Sequence, residues 1–276
     1  MRASRLVPLS LFSTLVFFSA QASAAPVLAP HRAVYDLVLD KASDRSGITG
    51  LSGRMVYEFN GSPCEGYTVN FRFVTQIQTG DKSQMTDQQT TTFEGGDGKT
   101  FNFVTKSFVD QNLDRELKGT AEVEPSGLKV QIDKPDANSL ELGKTQFPTQ
   151  HLVEMIDKAE KGETFYETNL FDGSEDADKV MTTTVVVGKK SEVKSDDPER
   201  PVLAGLEKDA YWPVDIAYFD LDNGGGEEVP EYRISFKLHE NGLTRDLLMD
   251  YGEFSMTGKL VNLSLFKPAP KQTCDK

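Results

Sequence analysis

The sequence predicts a mainly β protein with a wide, curled antiparallel sheet and one helix. Apolar and polar residues alternate with a period of two along most of the chain, as in strands with one buried face. The pattern is strongest in a C-terminal meander from Val229 to Phe266. There the alternation changes phase at Leu260-Val261, beside Gly258, which predicts a bulge that curls the sheet.

About seven strands are predicted before the helix and about six after it. The first set spans about residues 31–133 and the second about residues 163–267. Residues 83–93 are polar on both faces, which predicts an edge strand or one that faces solvent twice. Residues 189–209 are charged and irregular, which predicts a mobile excursion. The strands of the first set are predicted at residues 32–39, 55–59, 67–77, 83–93, 101–103, 117–123 and 128–132.

The helix is predicted at residues 149–161. Leu152, Ile156 and Ala159 fall at helical spacing. Thr149 is a suitable N-cap residue, and Gly162 is a suitable C-terminal stop. This segment therefore separates the two strand sets.

The strongest turn signal is Asn241-Gly242, which lies between two alternating runs. A two-residue turn there predicts the register of the hairpin. It places Ile234 opposite Met249 and Phe236 opposite Leu247 on one face. On the other face it places Lys237 opposite Asp246 and Arg233 opposite Asp250.

The N-terminus has the features of a secretory signal peptide. Two arginines precede an apolar run from Leu6 to Phe18, and Ala22-Ser23-Ala24 forms a cleavage site. We expect cleavage after Ala24, which leaves residues 25–276 as the β domain. The apolar run is short for a membrane span, and no later stretch approaches the roughly 18–20 apolar residues that one needs. The pattern therefore favours an exported, not membrane-spanning protein over an uncleaved anchor.

The formal net charge of −13 limits the partners that the chain can bind. A strongly acidic chain is repelled by the phosphates of nucleic acids and by anionic lipid surfaces. We therefore expect no binding to nucleic acid.

The chain has two cysteines, Cys64 and Cys274. In an exported protein an even pair predicts a structural disulfide. A redox-active pair would have C-x-x-C spacing, and two distant thiols do not make a zinc site.

A metal site has one weak candidate, the acidic loop from Asp220 to Glu231. Asp220 and Asp222 occupy positions 1 and 3 of an EF-hand-like loop, and Glu231 occupies position 12. However, Gly224 stands at position 5 and the flanks are strand-like, so a solvated acidic turn is the competing interpretation. No cofactor motif is present.

Enzyme motifs give little support for catalysis. The three histidines form no metal-binding pattern, and no G-x-S-x-G elbow occurs. An acidic chain has so many carboxylates that any chosen pair is uninformative. We therefore expect no enzyme, with a hydrolase of envelope polymers as the third alternative.

The aromatic residues allow two interpretations. The 17 Phe and 8 Tyr could line the concave side of a curled sheet, where exported β proteins hold lipids or lipoprotein acyl chains. The competing interpretation is that Phe71, Phe73, Phe101 and Phe236 simply fill the core.

The chain also resembles a known family. The residues that carry the resemblance are Cys64, Phe171-Asp172-Gly173, Tyr211-Trp212-Pro213-Val214, and the stretch from Ser235 to Gly242. The family is the envelope integrity protein EipB family, which is periplasmic in Gram-negative bacteria. The likeness extends over nearly the whole chain after the signal peptide.

This resemblance implies a single β-spiral of about fourteen strands, similar to a broken barrel and to lipoprotein carriers. It implies a disulfide that maps onto Cys64 and Cys274, and it brings no catalytic residues. It also implies a role in envelope homeostasis and stress resistance, with periplasmic TPR-repeat proteins as partners.

The sequence therefore predicts a periplasmic, non-catalytic protein that maintains cell-envelope integrity by binding protein or envelope components. A carrier of lipid or lipoprotein acyl chains is the alternative.

Overall fold

The computed structural model describes residues 27–220, 229–267 and Cys274. The expected signal peptide, residues 1–24, lies outside these residues, as does Asp222 of the acidic loop. In the described part of the chain, no helix combines the length and apolarity that a membrane crossing requires.

Fifteen strands of the described chain form one sheet, which confirms the mainly β prediction. Their order is β8-β7-β6-β5-β4-β3-β2-β1-β15-β14-β13-β12-β10-β9, and β11 pairs with β12. All strand pairs are antiparallel, and strands from both sides of the helix join the same sheet where β1 meets β15. The strands are β1 (His31–Ala42), β2 (Ile48–Ser62), β3 (Gly66–Thr79), β4 (Lys82–Glu94), β5 (Thr100–Val109), β6 (Asn112–Glu124), β7 (Gly127–Lys134), β8 (Asn138–Leu142), β9 (Phe165–Leu170), β10 (Met181–Val187), β11 (Ser191–Glu192), β12 (Ala210–Phe219), β13 (Tyr232–His239), β14 (Thr244–Asp250) and β15 (Phe254–Leu265).

The sheet curls on itself without closing. Phe103 of β5 and Phe171, just after β9, are far apart in strand order, yet their ring centroids lie 6.0 Å apart. A single parallel bridge joins Gln146, beyond β8, to Leu170 at the end of β9. Within the described residues, the two edges of the sheet thus meet through one bridge instead of a full ladder, as expected for a broken barrel.

The predicted bulge in the last strand is present. Val34 pairs with Asn262 and Tyr35 pairs with Leu260, so Val261 is the extra residue. The phase change in the sequence is the direct signature of this residue, because a bulge reverses the face that each following side chain occupies.

The register of the β13–β14 hairpin was predicted correctly at its far end and wrongly near the turn. Ile234 pairs with Met249 and Arg233 with Asp250, as expected, but Lys237 pairs with Arg245 instead of Asp246. The N–H of His239 donates to the carbonyl of Leu243 (2.9 Å), so the turn holds three residues, 240–242. The register shifts back between Ser235 and Lys237. A longer turn and a compensating bulge therefore cancel each other.

The helix α1 spans Pro148–Glu160, close to the predicted range. The predicted cap was wrong, because Pro148 occupies the first turn and Phe147 is the N-cap, without a side-chain cap bond. Instead, the buried carboxylate of Glu94, the last residue of β4, accepts hydrogen bonds from the N–H groups of Thr149 (2.7 Å) and Gln150 (3.0 Å). Burial raises the pKa of Glu94, and these donors oppose that rise.

Glu94→Ala is expected to lower the free energy of unfolding by about 1–3 kcal/mol, because it leaves two N–H groups at the helix start unsatisfied. Chemical denaturation measures this loss. Glu124→Ala is the matched control, since Glu124 is likewise the last residue of a hairpin strand but is exposed. Equal midpoints for the two variants would show that Glu94 does not cap the helix.

Candidate functional site

The inner side of the curled sheet encloses a cavity of about 760 Å³. This volume lies within the range of small-molecule sites, about 300–1,000 Å³. One wall is apolar and comes from the middle of β2, β3, β13 and β14. Its side chains are those of Met55, Tyr57, Phe71, Phe73, Ile234, Phe236, Leu247 and Met249.

The facing wall is mostly polar, although Leu117 of β6 also lines it. Gln88 of β4, Thr105 and Ser107 of β5, and Arg115 of β6 line it. Of the two alternatives predicted for residues 83–93, the edge strand is wrong, because β4 lies between β3 and β5. Gln88 borders the open cavity and Gln89 is exposed on the other face, which explains why the middle of β4 has no apolar face.

The phenylalanines divide between the two interpretations that the sequence left open. Phe71, Phe73 and Phe236 are half-buried and line the cavity. Phe101 instead belongs to a separate, fully buried cluster, where its ring centroid lies 5.1 Å from that of Phe147. Some of these phenylalanines therefore line the cavity, and others fill the core.

Charged groups gather at one end of the cavity, which we call the mouth. It is formed by the loop after β9, with Asp172 and Glu175, and by Glu231 and Tyr232 at the start of β13. Arg115 reaches this loop and pairs with Asp176.

The ammonium group of Lys179 joins three carboxylates at the mouth. Its Nζ lies 2.8 Å from Glu175, 3.1 Å from Asp220 and 3.2 Å from Glu231. Two of the weak calcium candidates, Asp220 and Glu231, therefore share a lysine as their cation. Among the described residues, no group of three or more His, Cys, Asp or Glu side chains is arranged to hold a metal ion.

The opposite part of the cavity wall is backed by the segment 193–206. Leu203 is fully buried and packs in the same apolar cluster as Met55 and Leu247 of the cavity wall. The prediction of a mobile excursion at residues 189–209 is thus wrong for this segment. Its charge pattern misled the prediction because two of its carboxylates, Asp197 and Glu199, are buried.

These carboxylates surround a buried guanidinium, that of Arg245 in β14. Its Nη1 donates to Asp197 (2.9 Å) and to Glu199 (3.0 Å), and its Nε donates to Nε2 of His239 (2.9 Å). Glu199 also accepts from the N–H groups of Asp246 (3.2 Å) and Leu260 (2.7 Å). We call these residues, with Arg245 at the centre, the Arg245 cluster; it fastens the segment 193–206 to β14 and β15.

The sequence matches the family described as EipB-like over residues 22–267. The chain belongs to the EipB-like family. Its single antiparallel sheet, which is not closed, agrees with the β-spiral that the resemblance implied.

Two relatives of this EipB-like chain extend over nearly its whole length. The first is the Cell envelope integrity protein EipB of Brucella abortus (strain 2308), which is 56% identical over 260 residues, 94% of this chain and 92% of the relative. The second is a crystal structure described as a β-barrel-like protein of the domain of unknown function DUF1849 from Brucella abortus. It superposes with a TM-score of 0.85 at 56% identity and covers 88% of this chain and 100% of the relative.

The disulfide expected of the EipB-like chain is present between Cys64 and Cys274, whose Cα atoms are 5.2 Å apart. Cys64 lies in the turn between β2 and β3, so the bond joins the end of the chain to an early hairpin. It lies outside the set of side chains that line the cavity.

The three histidines of the EipB-like chain are buried and apart from the cavity lining. Burial lowers the pKa of His151 to about 4, and burial and the nearby Arg245 lower that of His239 to about 4. Both are therefore neutral at pH 7. His239 accepts a hydrogen bond from Arg245, a structural role that its place beside a turn did not reveal.

Proposed function

We propose that this chain is a periplasmic, non-catalytic binding protein that supports cell-envelope integrity. In this proposal the envelope component that it binds is an amphiphile whose acyl chain occupies the cavity. The observation that carries the proposal is the cavity itself, about 760 Å³ with a continuous apolar wall.

The cavity wall favours an apolar ligand over simple core packing. Phe71, Phe73 and Phe236 are only half-buried, although they lie in the middle of their strands. Burying apolar surface is worth roughly 25 cal/mol per Å², so an acyl chain that covers these rings gains free energy by displacing water. The polar facing wall leaves room for the glycerol or ester groups of such a ligand.

The name of the relative in Brucella abortus supports the envelope role, since that protein is called a cell envelope integrity protein. The disulfide supports an oxidising compartment outside the cytoplasm. A TPR-repeat partner stays a prediction, and chemical crosslinking in cells tests it.

Mass spectrometry of an organic extract tests the proposal. Protein purified without detergent is expected to release an acyl lipid or lipopeptide, because the cavity holds it away from water. A displacement assay with an apolar fluorescent dye then measures affinity for added amphiphiles. Failure to find a lipid in the extract, together with failure of any amphiphile to displace the dye, would contradict the proposal.

Ser107→Trp is expected to abolish dye binding, because Ser107 lines the cavity and an indole there fills part of it. Lys106→Trp is the matched control, since the neighbouring side chain is exposed on the opposite face of β5. Both variants need native circular dichroism spectra. Loss of binding in both, or in neither, would exclude the cavity as the ligand site.

A further inference from the structure

Among the described residues, the charged side chains that line the cavity lie at its mouth, where carboxylates outnumber cations. Two cations, Arg115 and Lys179, face five carboxylates in the described part of the mouth. The carboxylates are those of Asp172, Glu175, Asp176, Asp220 and Glu231. The other described side chains that line the cavity are uncharged. A ligand that enters with its chain in the apolar part therefore leaves its headgroup in a field of net negative sign.

Most of the polar groups at the mouth are hydrogen-bond acceptors. Lys179 Nζ lies 2.8–3.2 Å from three carboxylates, so this set of oxygens already holds one ammonium group at hydrogen-bond distance. The guanidinium of Arg115, which lines the cavity, donates to Asp176 and to the carbonyl of Glu175 (2.6 Å). An anionic headgroup would meet carboxylates whose partner cations are already paired.

Tyr232 and Tyr251 continue this surface, and the buried Tyr218 packs behind Tyr232. The rings of Tyr218 and Tyr232 stack with centroids 4.3 Å apart, and Tyr251 follows at 6.1 Å from Tyr232. Burial raises the pKa of Tyr232, and the charges of Asp172 and Glu175 add to this rise. The phenol of Tyr232 thus stays protonated, and its surroundings are negative.

We propose that the cavity selects an amphiphile with a cationic ammonium headgroup, which lies at the mouth beside Glu175, Glu231 and Tyr232. This inference rests on the proposed function, because it assumes that the acyl chain occupies the apolar part of the cavity. The carboxylates by themselves would not make a site. They determine the sign of the headgroup charge, whereas the apolar wall binds the acyl chain of the same ligand.

The test compares three probes with the same dodecyl chain in the dye-displacement assay below their micelle concentrations. Dodecylammonium carries a positive charge, dodecanoate a negative one, and dodecyl maltoside none. At low salt we expect dodecylammonium to bind at least about tenfold more tightly than dodecanoate, with the neutral probe between them. High salt should narrow this difference, because the mouth is exposed to solvent and its charges are screened.

The double variant Glu175→Gln, Glu231→Gln tests how much these two carboxylates contribute to binding of the headgroup. We expect it to weaken dodecylammonium binding about fivefold and to leave dodecyl maltoside binding unchanged. Glu122→Gln is the control for a general change in charge, since Glu122 is exposed on β6 and does not line the cavity. If the double variant does not fold, Glu175→Gln by itself gives the same comparison, because Glu175 is exposed in a loop.

The outcomes separate this inference from the proposed function. Equal affinity for the three probes, or tighter binding of dodecanoate, overturns the headgroup selection while the cavity stays the ligand site. If none of the probes displaces the dye, the proposed function fails first and this inference fails with it. Selection for dodecylammonium that the double variant removes supports both.

Discussion

Arg245→Met is expected to lower the free energy of unfolding by about 3–5 kcal/mol, because it leaves the buried carboxylate of Glu199 without its cation, while Asp197 keeps Lys237 at 3.1 Å. Arg245 is fully buried, and it donates to both Asp197 and Glu199, which are 9% and 1% exposed. Methionine keeps the length and apolar character of the side chain, so packing changes little. The fall in the free energy of unfolding therefore measures the cost of the unpaired buried charge.

Thermal and guanidinium denaturation measure this effect. A loss of that size corresponds to a fall in Tm of about 6–20 °C for a chain of this length. Arg233→Met is the matched control, since Arg233 pairs with Asp215 at 2.8 Å on the exposed face of the same hairpin. Such an exposed pair is worth about 0–1 kcal/mol.

A second substitution shows whether charge is the cause. Burial raises the pKa of Glu199, although its hydrogen bonds with Leu260 and Arg245 oppose the rise. Adding Glu199→Gln to Arg245→Met removes the unpaired charge and keeps an oxygen that can accept from Leu260. We expect the double variant to recover about 1–2 kcal/mol of the lost stability. A double variant that is less stable than Arg245→Met would contradict this account.

Removing the disulfide in the variant Cys64→Ser, Cys274→Ser is expected to cost about 3–5 kcal/mol. The bond joins residues 210 positions apart, so it restricts the unfolded chain over most of its length. Chain-entropy arguments give more stabilisation to longer loops. The folded sheet should persist in the variant, because no strand pairing depends on the two sulfur atoms.

Guanidinium denaturation of the oxidised protein and of the variant gives the difference. Oxidised protein treated with reductant is the internal control, and its midpoint should fall to that of the variant. Dye binding should be retained under native conditions, since the bond lies apart from the cavity lining. Midpoints that differ by less than about 1 kcal/mol of stability would show that the bond does not constrain the unfolded chain.

Local patterns predicted the elements of this fold well. Period-two alternation located the strands of the meander, and the phase change at Leu260-Val261 located the bulge. The cap of α1 was missed because its acceptor, Glu94, is more than fifty residues away in sequence. Likewise, the sequence of β4 does not indicate that this strand borders a cavity, because polar residues are equally compatible with a water-filled cavity and with bulk solvent.

The Arg245 cluster was missed for a different reason. Charged residues in an irregular stretch usually indicate solvent exposure, and Asp197 and Glu199 fit that pattern. Their burial depends on a cation supplied by β14, which only the folded sheet brings into place. The hairpin register shows the same limit. The extra residue in the turn and the bulge in β14 shift the register in opposite directions, so alternation predicts only the pairs far from the turn correctly.

The pairing of the first strand with the last has a consequence for biogenesis. Because the polypeptide emerges with its N-terminus first, β1 to β8 can pair one after another as a meander. One edge of β1, however, stays unpaired until β15 has been made. Until β15 (Phe254–Leu265) is available, that side offers unpaired backbone groups to other nascent chains. Stalled or truncated intermediates should therefore misassemble through β1, and a holding chaperone would act best on that strand.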